Sequence, residues 1–178
     1  MGCFMLVSGP PTSVSTLSAV RCRRPRAADA ASVHELVSEC KPLDLNSPYA
    51  YLLLCTHFAD TSAIAEADGT LLGFVGGYLK PGDSSVIFIW QIAVSEAARG
   101  RGVGKRLLQE LLDRPVCRHV RHLETTITPS NEASWVLFRS FARTVHADCS
   151  QTTLFRREDF GEHDHEEEQL LRIGPVHA

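Results

Sequence analysis

The stretch AVSEAARGRGVGKRLLQELL, Ala93 to Leu112, places Gly100, Gly102 and Gly104 among Arg99, Arg101, Lys105 and Arg106. Upstream lies VIFIWQIAV (Val86–Val94), whose β-branched and aromatic residues predict a strand. Downstream, VGKRLLQELLD puts Val103, Leu107, Leu108, Leu111 and Leu112 on one helical face. A glycine loop thus joins a strand to an amphipathic helix. The first amides of a helix have no intrahelical partner and lie at the positive end of its dipole, so this junction can hold an anion such as a phosphate. Gly102 and Gly104 allow main chain to approach that anion with no Cβ in the way. The nearby cations add charge, some toward an anion and some only toward solvent. The Walker pattern is not met, because Arg106 follows Lys105 where Ser or Thr is needed. The dinucleotide fingerprint is not met either, since the spacing is G-x-G-x-G and the preceding strands read as hairpins. A plain tight turn remains the alternative reading of these glycines.

Outward from the loop, SAIAEA, LLGFVGGYLK and SVIFIWQIAV are separated by Asp68-Gly69 and Pro81-Gly82-Asp83, which is turn chemistry for antiparallel hairpins. Before them, AVRCRR (Ala19–Arg24) reads as a first strand. Asp29 is placed to cap a helix through about Cys40, with Val33, Leu36, Val37 and Cys40 on one face. Ser47 as cap and Pro48 at the first position start a second helix. After the loop helix, HLETTIT reads as a strand, and a helix runs from Asn131 to about Arg143. A strand over Ser150–Phe155 and a last one at LLRI follow. The order βααβββαβαββ predicts an α/β fold with a single mixed, mostly antiparallel sheet flanked by helices and one parallel crossover.

The chain has 178 residues with 44% apolar content, enough for one compact domain. Residues 1–18 read as a disordered leader and 19–178 as the single domain. A net charge of −3 supplies no basic field, which argues against a nucleic-acid partner and for a small-molecule one. No run is apolar enough to span a membrane, no basic residue precedes the short apolar start, and Leu6 stands where myristoylation requires Ser or Thr. Six scattered cysteines without a C-x-x-C pair read as reduced thiols of a cytoplasmic protein. His119-x-x-His122 and His163-x-His165 lack a second pair at structural-zinc spacing, so no metal is expected.

Arg99-x-x-Gly102-x-Gly104 after a strand ending in Ile92-Ala93-Val94 resembles the GNAT family of acetyl-CoA-dependent N-acetyltransferases. The resemblance runs over about Arg21–Arg143 and implies that fold, with acetyl-CoA as acetyl donor. It implies that the loop from Arg99 through Gly100, Arg101, Gly102, Val103, Gly104 and Lys105 holds the pyrophosphate, and that Ile92, Ala93 and Val94 bind the pantetheine arm through main chain. The Val94 amide would donate to the thioester oxygen as it becomes an oxyanion. PLDLNSPYAYLLLCTHFADT, FIWQIAV, HLETTITPSNEASWVLFR and the tail GEHDHEEEQLLRIG are more specific. They are similar to the diaminobutyrate acetyltransferases of ectoine biosynthesis. That resemblance implies acetylation of the γ-amino group of L-2,4-diaminobutyrate, and family members are generally homodimers.

Such a substrate carries two ammonium groups and a carboxylate, so its pocket needs acids, a donor and an apolar wall. Asp44, Asn46, Ser47 and Tyr49 lie in or just after an interhelical loop, from which side chains can enter a cleft. Asp44 reads as an acceptor for an ammonium or as a helix-loop cap. Strand alternation sets Trp90 and Gln91 on opposite faces, with Trp90 an aromatic wall or a core residue. Glu124 and Thr126 share a face. Glu124 is a candidate base or a paired structural carboxylate, and Thr126 a substrate contact. In the charged tail, Glu162 and His163 match the resembled pattern and are candidates for closing over substrate, against the plain reading of a solvated end. Asn131 can bond the pantetheine arm or cap its helix.

An alkyl ammonium with a pKa of about 10.4 must lose a proton before it can attack a thioester. The resemblance implies direct attack with both substrates bound and no cysteine nucleophile. Many GNAT enzymes place a tyrosine where this chain has Phe138, so the usual general acid is missing. A different amine or diamino acid as acceptor, or a non-catalytic acetyl-CoA sensor, are the alternative functions.

Overall fold

The computed structural model describes residues 20–176. The leader read over residues 1–18 lies outside the described residues. The strands are β1 (Arg21–Arg23), β2 (Ser62–Ala67), β3 (Thr70–Lys80), β4 (Asp83–Val94), β5 (His122–Ile127), β6 (Asp148–Phe155) and β7 (Glu168–Gly174). The helices are α1 (Ala30–Glu39), α2 (Pro48–Thr56), α3 (Val103–Leu112) and α4 (Glu132–Thr144). They follow one another as the periodicities predict. The strands form a single sheet in the order β1-β2-β3-β4-β5-β7-β6, with β4–β5 the parallel pair and the other neighbours antiparallel.

Local chemistry explains the hairpins. Asp68 and Gly69 both adopt positive φ, 51° and 76°, the conformation that a two-residue β2–β3 connection requires and that Asp-Gly tolerates. Ser47 caps α2 by accepting from the Ala50 amide at 3.4 Å, with Pro48 at the first helical position. Asp29 departs from the expected cap of α1. It stands at the cap position, but its carboxylate accepts from the Arg26 amide and pairs with Arg23, whose guanidinium also reaches Glu66 on β2. The cap became a clamp between β1, β2 and the turn before α1.

The sheet has a different apolar layer on each face. On one, Val103, Leu107, Leu108 and Leu111 of α3 and Phe138 and Phe141 of α4 pack on Ala63, Val75, Ile87, Leu123 and Leu171. Each fully buried leucine there contributes about 1.5–3 kcal/mol. On the other, Val33 and Val37 of α1 and Tyr51 and Leu54 of α2 cover Ile64, Phe74 and Ala93.

Two irregularities of β4 position the site. Gly76 pairs with Gln91 while Gly77 pairs with Ile89, which leaves Trp90 as the extra residue of a bulge. Simple alternation between Trp90 and Gln91 therefore fails, because a bulge re-aims the side chains on either side of it. In addition, β4 pairs with β5 only over Val86–Ile89. Beyond Ile89, where Thr125 Oγ1 donates to the Ile89 carbonyl at 3.0 Å, the two strands part.

Candidate active site

The gap between β4 and β5 opens into a cleft of about 680 Å³ lined by Ile92–Val94, the glycine loop, the start of α3, α4 and Cys40–Leu43. Ser95 N donates to Leu72 O on β3, so alternation turns the N–H and C=O of Val94, and of Ile92, away from β3 toward the gap. The same alternation commits the main chain of Ala93 to β3; this residue lines the cleft but does not aim an amide into it. The Val94 carbonyl accepts from Arg99 Nε at 3.2 Å and Cys40 Sγ at 3.4 Å, which leaves its own N–H as the group presented to the gap.

Gly100 and Gly102 adopt φ of 73° and 77°, and Gly102 forms the left-handed start of α3. The first bond within α3 runs from Arg106 N to Gly102 O, so the amides of Val103, Gly104 and Lys105 have no carbonyl within the helix. They leave hydrogen-bond donors at this end of the cleft. Arg99 and Lys105 line it as well, whereas exposed Arg101 does not, and Arg106 turns back to bond the Val20 carbonyl. Gly104 lines the cleft and also lies under α4. A Cβ there would stand 2.9 Å from Leu137 Cδ1, so its missing side chain lets α4 pack on α3. Asn131 lines the cleft and caps α4, with Oδ1 accepting from Ser134 N at 3.1 Å. Phe138 is 1% exposed in the core and brings no hydroxyl to the cleft.

On the other side of the gap, side chains from three segments converge. Asp44, in the α1–α2 connection, lies 3.4 Å from His165 Nε2, and His165 lies 3.9 Å from Glu168 at the start of β7. His165 stacks on Phe160, with ring centroids 4.0 Å apart, and its Nδ1 bonds the Glu166 carbonyl at 2.6 Å. That bond, reinforced by Asp44, holds the imidazole above the usual histidine range. Burial pushes the Glu168 carboxyl above the usual carboxylate range, against the opposing pull of the Thr126 hydroxyl. Glu168 Oε2 is buried and has no hydrogen-bond partner. A buried acceptor in that state fits an incoming cation.

Asp44 itself is largely exposed, and most of the other candidates stand apart from this cluster. Tyr49 and Trp90 are exposed, Ser47 is committed to its cap, and the Asn46 amide donates to the Tyr51 hydroxyl. Glu162 and His163 are exposed, and it is His165 and Glu168 that the tail brings to Asp44. Glu124 is 2% exposed, and both its oxygens are taken, one by Lys80 Nζ at 2.8 Å and one by Arg172. Both oxygens are engaged by cations from other strands, which is the paired structural arrangement. Glu168, absent from the sequence-based candidates, had a legible signal. Starting the last strand two residues earlier than LLRI puts Glu168, Leu170 and Arg172 on the face opposite buried Leu171 and Ile173. Among the described residues, no group of three or more His, Cys, Asp or Glu is placed to hold a metal ion.

Residues 30–142 match the model of the acetyltransferase (GNAT) family. The L-2,4-diaminobutyric acid acetyltransferase of Bordetella parapertussis is 52% identical over 154 residues, 86% of this chain and 83% of the relative. Its counterpart in Halalkalibacterium halodurans is 40% identical over 97% of this chain and 89% of its own length. Among solved structures, diaminobutyrate acetyltransferase EctA from Paenibacillus lautus, in complex with its substrate L-2,4-diaminobutyric acid and coenzyme A, superposes with a TM-score of 0.85. It is 39% identical, over 89% of this chain and 96% of that one.

Proposed function

We infer the activity from the premise that this chain belongs to the acetyltransferase (GNAT) family: it transfers the acetyl group of acetyl-CoA to the γ-amino group of L-2,4-diaminobutyrate, for ectoine formation. The observation that carries this reading is the buried Oε2 of Glu168, which has no hydrogen-bond partner, on a carboxylate linked through His165 to Asp44, across the β4 gap from amides free to hold a phosphate. Acids on one side suit a diammonium acceptor, and main-chain donors on the other suit a polyanionic donor. The likeness to L-2,4-diaminobutyric acid acetyltransferases and the substrate bound to the Paenibacillus enzyme support the same acceptor.

Acetyl-CoA supplies an acyl thioester. Amides of Val103, Gly104 and Lys105 hold its pyrophosphate, with Arg99 and Lys105 adding charge and Gly100 and Gly102 shaping the loop. Ile92 main chain and Asn131 face the pantetheine arm. Asp44 and Trp90 hold and wall the acceptor, with Asn46, Ser47, Tyr49 and Thr126 around it. Glu168 takes the proton from the γ-ammonium, because a carboxyl shifted upward by burial accepts a proton more readily at neutral pH than an ordinary one. Attack by the freed lone pair forms the C–N bond, and the Val94 N–H donates to the oxygen as it gains charge. The nitrogen sheds its second proton as the C–S bond breaks, and that proton passes to the departing thiolate, directly or through water, because Phe138 has no hydroxyl to supply one.

The test is thiol release from acetyl-CoA with diaminobutyrate, ornithine, lysine or no acceptor, with NMR identification of the acetylated nitrogen. Selective turnover at the γ-nitrogen is expected. Tight coenzyme A binding with no turnover on any of these amines would sink the enzyme reading.

We also propose a cytoplasmic homodimer. The five described cysteines are free thiols, which suits a reducing compartment, and no described helix is long and apolar enough to cross a membrane. Every residue of β6 is exposed, including Leu154 and Phe155, and its partner strand is β7 alone. Asp148–Phe155 contains no Lys or Pro to blunt the edge. A second copy meeting this edge about a twofold axis would cover it. Light scattering at micromolar concentration should return the mass of two chains; a single-chain mass would refute the dimer.

A further inference from the structure

Gln91 is an amide buried to 7% exposure in an otherwise apolar stretch of β4, directly after the bulge at Trp90. An apolar side chain there would cost nothing in desolvation, so the amide must recover its cost through its bonds. Both ends are used. Nε2 donates to the Asp44 main-chain carbonyl at 2.7 Å, and Oε1 accepts from the Tyr51 hydroxyl at 2.9 Å. That hydroxyl accepts in turn from the Asn46 main-chain N–H at 3.3 Å. The Asp44–Asn46 segment therefore hangs from one side chain of β4. At the near end of the same connection, Cys40 Sγ donates to the Val94 carbonyl. The connection is fastened at two points along the stretch of β4 that lines the cleft.

We infer that Gln91 is a positioning residue for the acceptor: it fixes the Asp44 carboxylate relative to the Val94 amide, and so sets where the acceptor's ammonium is held against the thioester. This rests on the reading of Asp44 as a contact to that ammonium. The chemistry requires a glutamine, since one planar group must donate at one end and accept at the other. Glutamate has no donor for the Asp44 carbonyl, and methionine has neither function. The inference separates Gln91 from a residue that only packs. A packing role affects both substrates alike, whereas a latch on the Asp44 segment affects the acceptor alone.

The experiment is steady-state kinetics on the full chain with each substrate varied in turn, for Gln91→Met, Tyr51→Phe, Asp44→Ala and the Gln91→Met/Asp44→Ala pair. Gln91→Met should raise KM for diaminobutyrate about tenfold, the loss expected when a buried hydrogen-bond partner is removed. KM for acetyl-CoA should stay within about twofold. Tyr51→Phe, which keeps the packing, should raise the acceptor KM about threefold and carries the test should the Gln91 variant not fold. In the Asp44→Ala background, Gln91→Met should add less than about twofold, because two residues acting through one contact are not additive. Equal rises in both KM values, or the full effect persisting without the Asp44 carboxylate, would overturn the inference. A raised acceptor KM in Asp44→Ala with none in Gln91→Met or Tyr51→Phe would refute the latch alone. An unchanged acceptor KM in Asp44→Ala would refute the reading of Asp44 beneath it.

Discussion

The two sides of the β4 gap present different kinds of group to the ligands proposed for them. On the cofactor side, the groups turned toward the cleft are main chain: the Val94 N–H and the first amides of α3, with Gly102 at a φ of 77° to start the helix. On the acceptor side they are side chains, and Asp44 and His165 come together from 121 residues apart. A main-chain site depends on backbone geometry, which a short contiguous stretch can encode. A site of converging carboxylates depends on the whole sheet closing in register. The first tolerates most side-chain changes and fails with the backbone; the second fails with single oxygen atoms.

Glu168→Gln should break this contrast most sharply. Removing the charge and the proton acceptor together should lower kcat/KM for diaminobutyrate about a thousandfold, within the range for general-base catalysis, with coenzyme A affinity unchanged in calorimetry. Gly102→Val is the opposite case. A β-branched residue forced to positive φ costs about 1–3 kcal/mol and displaces the α3 amides, so acetyl-CoA should bind about tenfold more weakly while the acceptor KM holds at saturating donor.

The pH dependence sharpens the comparison with a smaller effect. Glu168 binds a cation only as a carboxylate, so kcat/KM for the acceptor should fall on acidification with a midpoint above the ordinary glutamate range. His165, also held upward, competes for Asp44 whenever it is protonated, which acts in the same direction. Stability runs the other way. A group whose pKa is raised by folding contributes stability that is present below its unfolded pKa and lost as pH rises through the folded one. Thermal melts should therefore show no loss of stability from Glu168 or His165 over the acid window in which activity declines. A parallel loss of melting temperature traced to these two groups would contradict the assignment.

The sequence carried the fold wherever the signal was local. Asp68-Gly69, the leucine face of α3 and Ser47-Pro48 each encode one turn, face or cap within a few residues, and each formed. The glycine turn that starts α3 was legible for the same reason. Readings that assumed an undisturbed rule went astray. Alternation across Trp90 assumed no inserted residue, and Asp29 as a cap assumed no competing cation, but Arg23 took its carboxylate. The close approach of Leu137 from α4 to Gly104 is a packing contact that the local spacing does not encode. Glu124 finds Lys80 and Arg172 at separations of 44 and 48 residues, and Glu168 meets Asp44 through His165. No local period encodes such encounters, so the acceptor pocket was only partly visible.

The most direct test pairs calorimetric titration of coenzyme A with kinetics on the acceptor, in the wild type, Asp44→Asn and Glu168→Gln. The predicted result is coenzyme A affinity within about twofold of wild type in both variants, while acceptor kcat/KM falls by at least about tenfold in Asp44→Asn and far more in Glu168→Gln. Loss of coenzyme A affinity in step with acceptor turnover would contradict the account, because the two sides of the gap would then be one site rather than two.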